Sequence, residues 1–180
     1  MELKFFNYES CFRYYTQSIE SIKQARVKGE VILAKPILLL SVIDAVDNRE
    51  IVVNKIRLTE SLEQRYYALM RRYARGSQFD EPTKIEYPFW HLQSDGFWHL
   101  SGVPTPDTMT KSVSHKFLVE NVDYAYLDEE LWFLIKHPVF RERLRDYIIE
   151  HKLPHRDDED FGLRYVANGL CALLPLLVAS

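Results

Sequence analysis

A proline followed by a long apolar run constrains this chain more than any other feature. Ala34 to Val46 reads AKPILLLSVIDAV. Pro36 suits the first turn of a helix, where its missing N–H is not needed for an intrahelical hydrogen bond. A helix from Ile37 to Val46 is apolar on nearly every face, and such a helix has to be covered on all sides. The sequence therefore predicts a central buried helix around which the other elements pack.

Four further helices are predicted to surround it. Residues 7–24 place apolar side chains three and four positions apart, which is typical of an amphipathic helix. Capping residues, a helix-starting proline and a glycine after a helix end delimit the others. The predicted helices are 7–24; one capped by Thr59 or Ser61 that runs to about Arg75 and ends at Gly76; one that Asp128 caps and that runs through Lys136; and one from His137-Pro138 to about Lys152.

Strand signals are fewer. The β-branched segment Ile51–Val53 predicts a short strand. Two aromatic segments, Pro88–Leu92 and Phe97–Leu100, flank Ser-Asp-Gly, which predicts a β-hairpin because glycine tolerates the positive φ of a tight turn. Helix, strand, helix and hairpin in this order indicate a winged-helix-like centre in an α+β, mostly helical fold. The structure of Ser112–Val122 stays open.

The length predicts one domain. The chain has 180 residues and is 47 % hydrophobic, enough for a single substantial core. We place this domain at residues 1–153 and interpret 154–180 as an acidic linker followed by an apolar tail. The tail, YVANGLCALLPLLVAS, is too short and interrupted to predict a membrane span. It is a docked helix, a contact within a homo-oligomer or a segment foreign to the domain, and these alternatives stay open.

Charge is distributed unevenly. The net charge of −3 argues against a strongly basic nucleic-acid binder. Residues 1–75, however, carry 13 Lys and Arg against 9 Asp and Glu, a balance of +4, so residues 76–180 carry −7. A basic face in the N-terminal half permits an anionic partner without specifying one.

No pattern in the sequence assembles a catalytic, cofactor or metal site. It contains no glycine-rich phosphate loop, His-Glu-x-x-His helix or Gly-x-Ser-x-Gly elbow. His91 and His99 flank one turn, but two histidines without a carboxylate make a poor metal site. Two distant cysteines and an N-terminus without a secretory pattern are typical of a cytoplasmic protein. We therefore expect a binding protein without cofactor or metal, not an enzyme.

Three segments in order carry a resemblance to a known family. They are AKPILLLSVID at Ala34–Asp44, YPFWHLQSDGFWHL at Tyr87–Leu100 and LDEELWFLIKHPVFRERLRDYIIEHKL at Leu127–Leu153. A basic-Pro start to an aliphatic helix, then Tyr-Pro-Phe-Trp, then Ser-Asp-Gly-hydrophobic-Trp, is similar to the sulfur-binding domain of McrA-type restriction endonucleases. The resemblance covers most of residues 10–153. It departs at Ala34, where family members often have a histidine.

The resemblance implies binding of double-stranded DNA that carries a phosphorothioate, in which sulfur replaces a non-bridging oxygen. Sulfur is larger, more polarizable and a weaker hydrogen-bond acceptor than oxygen. An apolar pocket accepts sulfur at little desolvation cost, but it penalises an oxygen that loses water without gaining a donor. Tyr87 and Pro88 are the candidates for this pocket, with Trp90 and His91 as neighbours and Ser94 in the turn. The alternative for the aromatic residues is core packing.

Basic residues supply the second part of the implied site. Lys35 lies at the start of the predicted buried helix, where the helix dipole also favours a phosphate. Arg26 and Lys28 lie in the loop before it. We expect these cations to contact the DNA backbone phosphates or to reach a base edge. For Arg26 and Lys28, a solvated loop is the alternative.

The chain shows no HNH signature and little length beyond the predicted domain. We therefore predict no nuclease activity from this chain and expect a nuclease partner within a restriction or defence system. Two alternatives stay open. The first is a binder of unmodified or differently modified DNA, and the second is a protein-interaction domain that uses the aromatic hairpin and the apolar tail.

Overall fold

The computed structural model describes residues 7–74, 82–103 and 113–154. In these ranges the chain is mostly helical with two short antiparallel strand pairs, which confirms the predicted α+β class. The elements in chain order are α1 (Tyr8–Glu20), β1 (Arg26–Val27), β2 (Glu30–Val31), α2 (Ala34–Asp47), α3 (Glu60–Tyr73), α4 (Glu86–His91), a 3-10 turn (Leu92–Asp95), β3 (Trp98–Ser101), α5 (His115–Asn121), β4 (Tyr124–Leu127), α6 (Glu129–Lys136) and α7 (Pro138–Lys152). The predicted apolar tail lies outside the described residues.

α2 is the central helix that the apolar run predicts. Every residue from Pro36 to Ile43 is buried, and the helix packs against α3, α4, α6 and α7. Ser41 is the polar residue inside the run, and its hydroxyl donates to the Ile37 carbonyl at 2.7 Å. This bond satisfies the hydroxyl within the helix, so α2 can be covered on all sides.

α1, α6 and α7 pack against one another. The predicted bounds of α6 and α7 are confirmed. Asp128 precedes α6 as expected, but its side chain does not cap that helix. Its carboxylate instead accepts a hydrogen bond from the Tyr15 hydroxyl at 2.9 Å and contacts the His99 ring at 2.6 Å. Asp128 is therefore the N-cap residue by position, as predicted, but long-range partners occupy both of its side-chain oxygens.

The predicted aromatic hairpin is wrong in its first half. The segment that begins at Pro88 forms α4 and the 3-10 turn instead of a strand. Pro88 is the third residue of α4, where a helix needs no N–H donor. Tyr87 and His91 are exposed while Pro88, Phe89 and Trp90 between them are buried, and this i, i+4 pattern is helical.

The second half of the aromatic stretch is a strand with a different partner. β3 pairs with β4, with Trp98 opposite Leu127. His99 therefore faces Tyr126 and does not lie across a hairpin from His91. Gly96 has a φ of +87°, as the turn prediction required, but it ends the 3-10 turn.

The strand predicted at Ile51–Val53 is also wrong. Val52 and Val53 are exposed, and the bridge in this region joins Ile56 to Ala125. β-branched residues favour a strand only where a neighbouring strand and a core receive them. The winged-helix-like centre rested on this strand and on the hairpin, and it stays an unconfirmed prediction.

Two open points of the sequence are resolved by the structure. Thr59 is the cap of α3, since its hydroxyl oxygen accepts a hydrogen bond from the Leu62 N–H at 3.3 Å. The α3 helix ends at Tyr73, whereas the glycine expected to end it lies outside the described residues. The ambiguous segment at 112–122 contains α5.

Candidate nucleic-acid interface

Lys35 at the start of α2 is held in an ion pair. Its Nζ lies 2.6 Å from Oδ2 of Asp95, and it also donates to the Ser94 hydroxyl at 3.4 Å. The Lys35 side chain is 13 % exposed and that of Asp95 is 3 % exposed. Ala34, where the family resemblance departs, is buried and adds no polar group. The cation that the sequence predicts as a phosphate ligand is therefore already partnered.

The 3-10 turn is fixed to three parts of the chain. The second oxygen of Asp95, Oδ1, accepts the backbone N–H of Lys23 at 3.1 Å. The Ser94 hydroxyl donates to the His91 carbonyl at 2.8 Å. The turn thus joins the end of α4, the start of α2 and the chain that leads into β1.

α4 divides the four aromatic and proline candidates into two pairs. Tyr87 is 46 % exposed, and its ring centroid lies 5.7 Å from that of His91, one helical turn away. Pro88 is buried. Trp90 is also buried and meets the ring of Phe117 edge-on, with centroids 5.6 Å apart. The solvent-facing part of the candidate pocket is therefore Tyr87 with His91, while Trp90 belongs to the core.

His91 is uncharged at neutral pH. Partial burial, and then the positive charge of Lys35, lower the pKa of its imidazole below the ordinary value of 6.5. The Ser94 hydroxyl connects the two residues, since it faces the Lys35 ammonium at 3.4 Å and donates to the His91 carbonyl at 2.8 Å. The exposed ring of Tyr87, the imidazole and the ion pair thus form one continuous cluster.

The basic loop predicted before α2 is a small hairpin. β1 and β2 pair with Arg26 opposite Val31, and Lys28 and Gly29 take positive φ angles in the turn. Arg26 and Lys28 are both exposed. The hairpin begins three residues after Lys23, whose N–H is bonded to Asp95. The chain that leads into the basic hairpin is therefore fixed to the 3-10 turn.

A cleft of about 310 Å³ adjoins the cluster, and sequence reasoning missed it. Polar side chains from α1 form one wall, and the 3-10 turn forms part of the other. The lining residues are Tyr14, Gln17, Ser18, Ser21, Lys23, Ser94 and Asp95. The one available signal was the exposed polar side of the α1 pattern, which does not by itself indicate a neighbour more than 70 residues away.

Other site chemistries find no support in the described ranges. No group of three or more His, Cys, Asp and Glu residues there is arranged to hold a metal ion. Among the helices that the structure describes, none has the length and apolarity to cross a membrane. Cys11 is buried, and burial raises the pKa of its thiol to about 11, so it is not a reactive thiolate at neutral pH.

The described residues form an α+β domain with a cation and an exposed aromatic ring at one site, and comparison with known families makes its class specific. The chain belongs to the family of ScoMcrA-like DNA sulfur-binding domains, whose model matches residues 13–163. This match confirms the resemblance found in the sequence. The family is a DNA-binding domain and not a catalytic one. No curated protein matches the chain.

Solved structures agree with this assignment. The sulfur-binding domain of ScoMcrA complexed with phosphorothioated DNA is 22 % identical, with a TM-score of 0.58 over 84 % of this chain and 96 % of that one. The corresponding SprMcrA complex is 19 % identical, with a TM-score of 0.61 over 82 % and 88 %. A ScoMcrA structure that adds an SRA domain is 20 % identical, with a TM-score of 0.52 over 69 % and 37 %. At these identities the likeness shows the fold.

Proposed function

We propose that this chain binds double-stranded DNA at a phosphorothioate linkage and prefers it to ordinary DNA of the same sequence. The observation that carries the proposal is the exposed Tyr87 ring, which His91 and Ser94 connect to the Lys35 ammonium. A phosphorothioate is an anion with one soft, poorly hydrated atom, and it needs both an apolar surface and a cation. Two similar solved domains are complexed with phosphorothioated DNA.

The residues take different roles in this proposal. Tyr87, backed by the buried Pro88, offers the apolar surface to sulfur. An oxygen in the same place loses its water without a new donor, which costs about 1–3 kcal/mol. Lys35 attracts the phosphate group, with Ser94 beside it, and His91 borders the pocket as a neutral ring.

The basic hairpin and the buried tryptophan complete the assignment. Arg26 and Lys28 lie exposed in the β1–β2 hairpin and contact neighbouring phosphates, which adds affinity without sequence information. Trp90 acts on the site by supporting α4 from the core.

We further propose that the chain recognises modified DNA and leaves cutting to a nuclease partner in a restriction or defence system. A domain that only binds delivers its partner to the marked site. It works in the cytoplasm, where cellular and incoming DNA are found. Incubation of the purified chain with phosphorothioate DNA and Mg²⁺ should leave the DNA intact. A cleavage activity that co-purifies with the chain would contradict the assignment of cleavage to a partner.

The test of binding is a gel-shift titration with two matched duplexes, one with a single phosphorothioate and one without. We expect about tenfold to hundredfold tighter binding to the modified duplex, as follows from the cost of an unpaired oxygen. Equal affinity for both duplexes would reduce the protein to a general DNA binder. Absence of binding to either would overturn the proposal.

A further inference from the structure

We propose that Asp95 is a specificity-determining residue: by holding the Lys35 ammonium, it keeps this donor away from the non-bridging atom beside Tyr87. This inference rests on the proposed function and adds a second requirement to it. An apolar surface selects sulfur over oxygen only while no donor reaches the oxygen.

The ion pair leaves Lys35 few free donors. Its ammonium has three N–H groups, of which Asp95 takes one at 2.6 Å and Ser94 faces another at 3.4 Å. Asp95 in turn is 3 % exposed, and its other oxygen is fixed by the Lys23 N–H at 3.1 Å. The carboxylate therefore cannot swing away without breaking two contacts, and it holds the ammonium on the side of the 3-10 turn.

The same cluster places this ammonium within reach of a ligand at Tyr87. Its Nζ faces the Ser94 hydroxyl at 3.4 Å, this hydroxyl donates to the His91 carbonyl at 2.8 Å, and the His91 ring lies 5.7 Å from the Tyr87 ring. A lysine side chain released from Asp95 has four methylene groups on which to turn toward that ring. An ordinary phosphate oxygen there would then regain a charge-assisted hydrogen bond, which is stronger than a neutral one.

Sulfur gains less from a released ammonium than oxygen does, because it is the weaker hydrogen-bond acceptor. Release of Lys35 thus improves binding of ordinary DNA more than binding of phosphorothioate DNA. Asp95 therefore favours the modified backbone by weakening the binding of its unmodified competitor.

The test is Asp95→Asn, assayed against the matched duplexes over a range of salt concentrations. The asparagine keeps an acceptor for the Lys23 N–H but removes the charge that holds Lys35. We expect about fivefold to tenfold tighter binding to the unmodified duplex and little change for the modified one, so the preference falls by the same factor. For the unmodified duplex, the slope of log affinity against log salt concentration should become steeper by about one unit, as one additional phosphate contact would cause.

Asp44→Asn is the matched control. Asp44 lies on α2, the helix that carries Lys35, and forms a similarly shielded pair with Arg145, with Oδ1 2.8 Å from Nε. This substitution changes the net charge equally but should leave the preference unchanged. If both variants alter binding by the same factor, net charge and not the position of Asp95 is responsible, and the inference is overturned.

A second variant separates specificity from a structural role. In Lys35→Met/Asp95→Asn, both charges are absent and no ammonium can reach the oxygen, so binding weakens for both duplexes while the preference survives. Loss of the preference in this double variant would show that Asp95 only anchors the turn.

If Asp95→Asn does not stay folded, Asp95→Ser removes the same charge and is measured in its place. Failure of the wild-type protein to prefer the modified duplex counts against the proposed function itself.

Discussion

The Lys35 ammonium and the Asp95 carboxylate lie 2.6 Å apart, and both side chains are mostly shielded from solvent. The pair joins the first turn of α2 to the 3-10 turn that follows α4. Lys35 in the first segment is expected to meet a phosphate, and the second segment directly follows the helix whose Tyr87 is expected to meet sulfur. The ion pair thus sets the spacing between the two halves of the proposed site.

Lys35→Met should affect both binding and stability. It removes the cation nearest to the bound phosphate, so affinity for modified and unmodified duplexes falls together. It also leaves the buried Asp95 carboxylate without a charged partner, which should lower the free energy of unfolding by about 3 kcal/mol. Gel shift measures the first effect, and urea denaturation at pH 7 measures the second.

Lys116→Met is the control for this variant. Lys116 is 82 % exposed and its nearest carboxylate oxygen, on Glu120, is 3.8 Å away. An exposed pair of this kind contributes little, so neither binding nor stability should change. A Lys35→Met protein as stable as wild type would show that Asp95 finds another partner, and it would remove the basis for the fixed spacing.

Tyr87→Ala should reduce the preference for sulfur and leave stability nearly unchanged. The side chain is 46 % exposed, so its removal opens no core cavity. We expect the affinity for the phosphorothioate duplex to fall about tenfold and that for the ordinary duplex to change far less. Tyr8→Ala removes a tyrosine of matched exposure, 48 %, which stacks on Phe140 instead. An equal loss with both duplexes would assign Tyr87 to general DNA contact.

Five helices, α1, α2, α3, α6 and α7, were predictable because their signals are local, whereas α4 and α5 were not. The apolar run of α2, the proline at the start of α7 and the Thr59 cap all act within one or two turns of the residues that carry them. The strands depend on distant partners. β3 pairs with β4, more than 20 residues further along, and nothing between Phe97 and Leu100 shows which segment that is.

The candidate site shows the same difference between local signals and distant partners. Lys35 and Tyr87 were identified from motifs, but their surroundings come from other parts of the chain. The Lys23 N–H that fixes Asp95 is 72 positions away, and no spacing rule predicts it. Trp90 was expected near the site and lies in the core, because the helical α4 turns it inward whereas the predicted strand left its direction open.

Acidification should weaken the preference for sulfur through His91. Because burial and Lys35 lower the pKa of this histidine below 6.5, it stays neutral at pH 7 and gains its proton only in more acidic solution. Protonation adds a charged donor beside Tyr87, which benefits oxygen more than sulfur. Affinity for both duplexes should therefore rise as the pH falls from 7 to 5, and it should rise more for ordinary DNA.

His91→Gln should remove this additional pH dependence, whereas His115→Gln should not. His115 is an exposed histidine that pairs with Glu63 at 2.9 Å, away from the cluster. The ratio of the two affinities is the informative quantity, since a general effect of acid on the protein or the DNA cancels in it. A ratio that changes identically in wild type and His91→Gln would exclude His91 as the source.

The double variant Arg26→Ala/Lys28→Ala should weaken binding to both duplexes by the same factor. These exposed hairpin residues contact phosphates in the proposal, and phosphate contacts add affinity without distinguishing sulfur from oxygen at another position. The slope of log affinity against log salt concentration should become shallower by about one to two units. Arg71→Ala/Arg72→Ala removes two charges from exposed positions at the end of α3 and is the control for net charge. If the hairpin variant changes the sulfur preference while its slope stays constant, the hairpin takes part in recognition of the modified linkage and does not serve as a backbone contact.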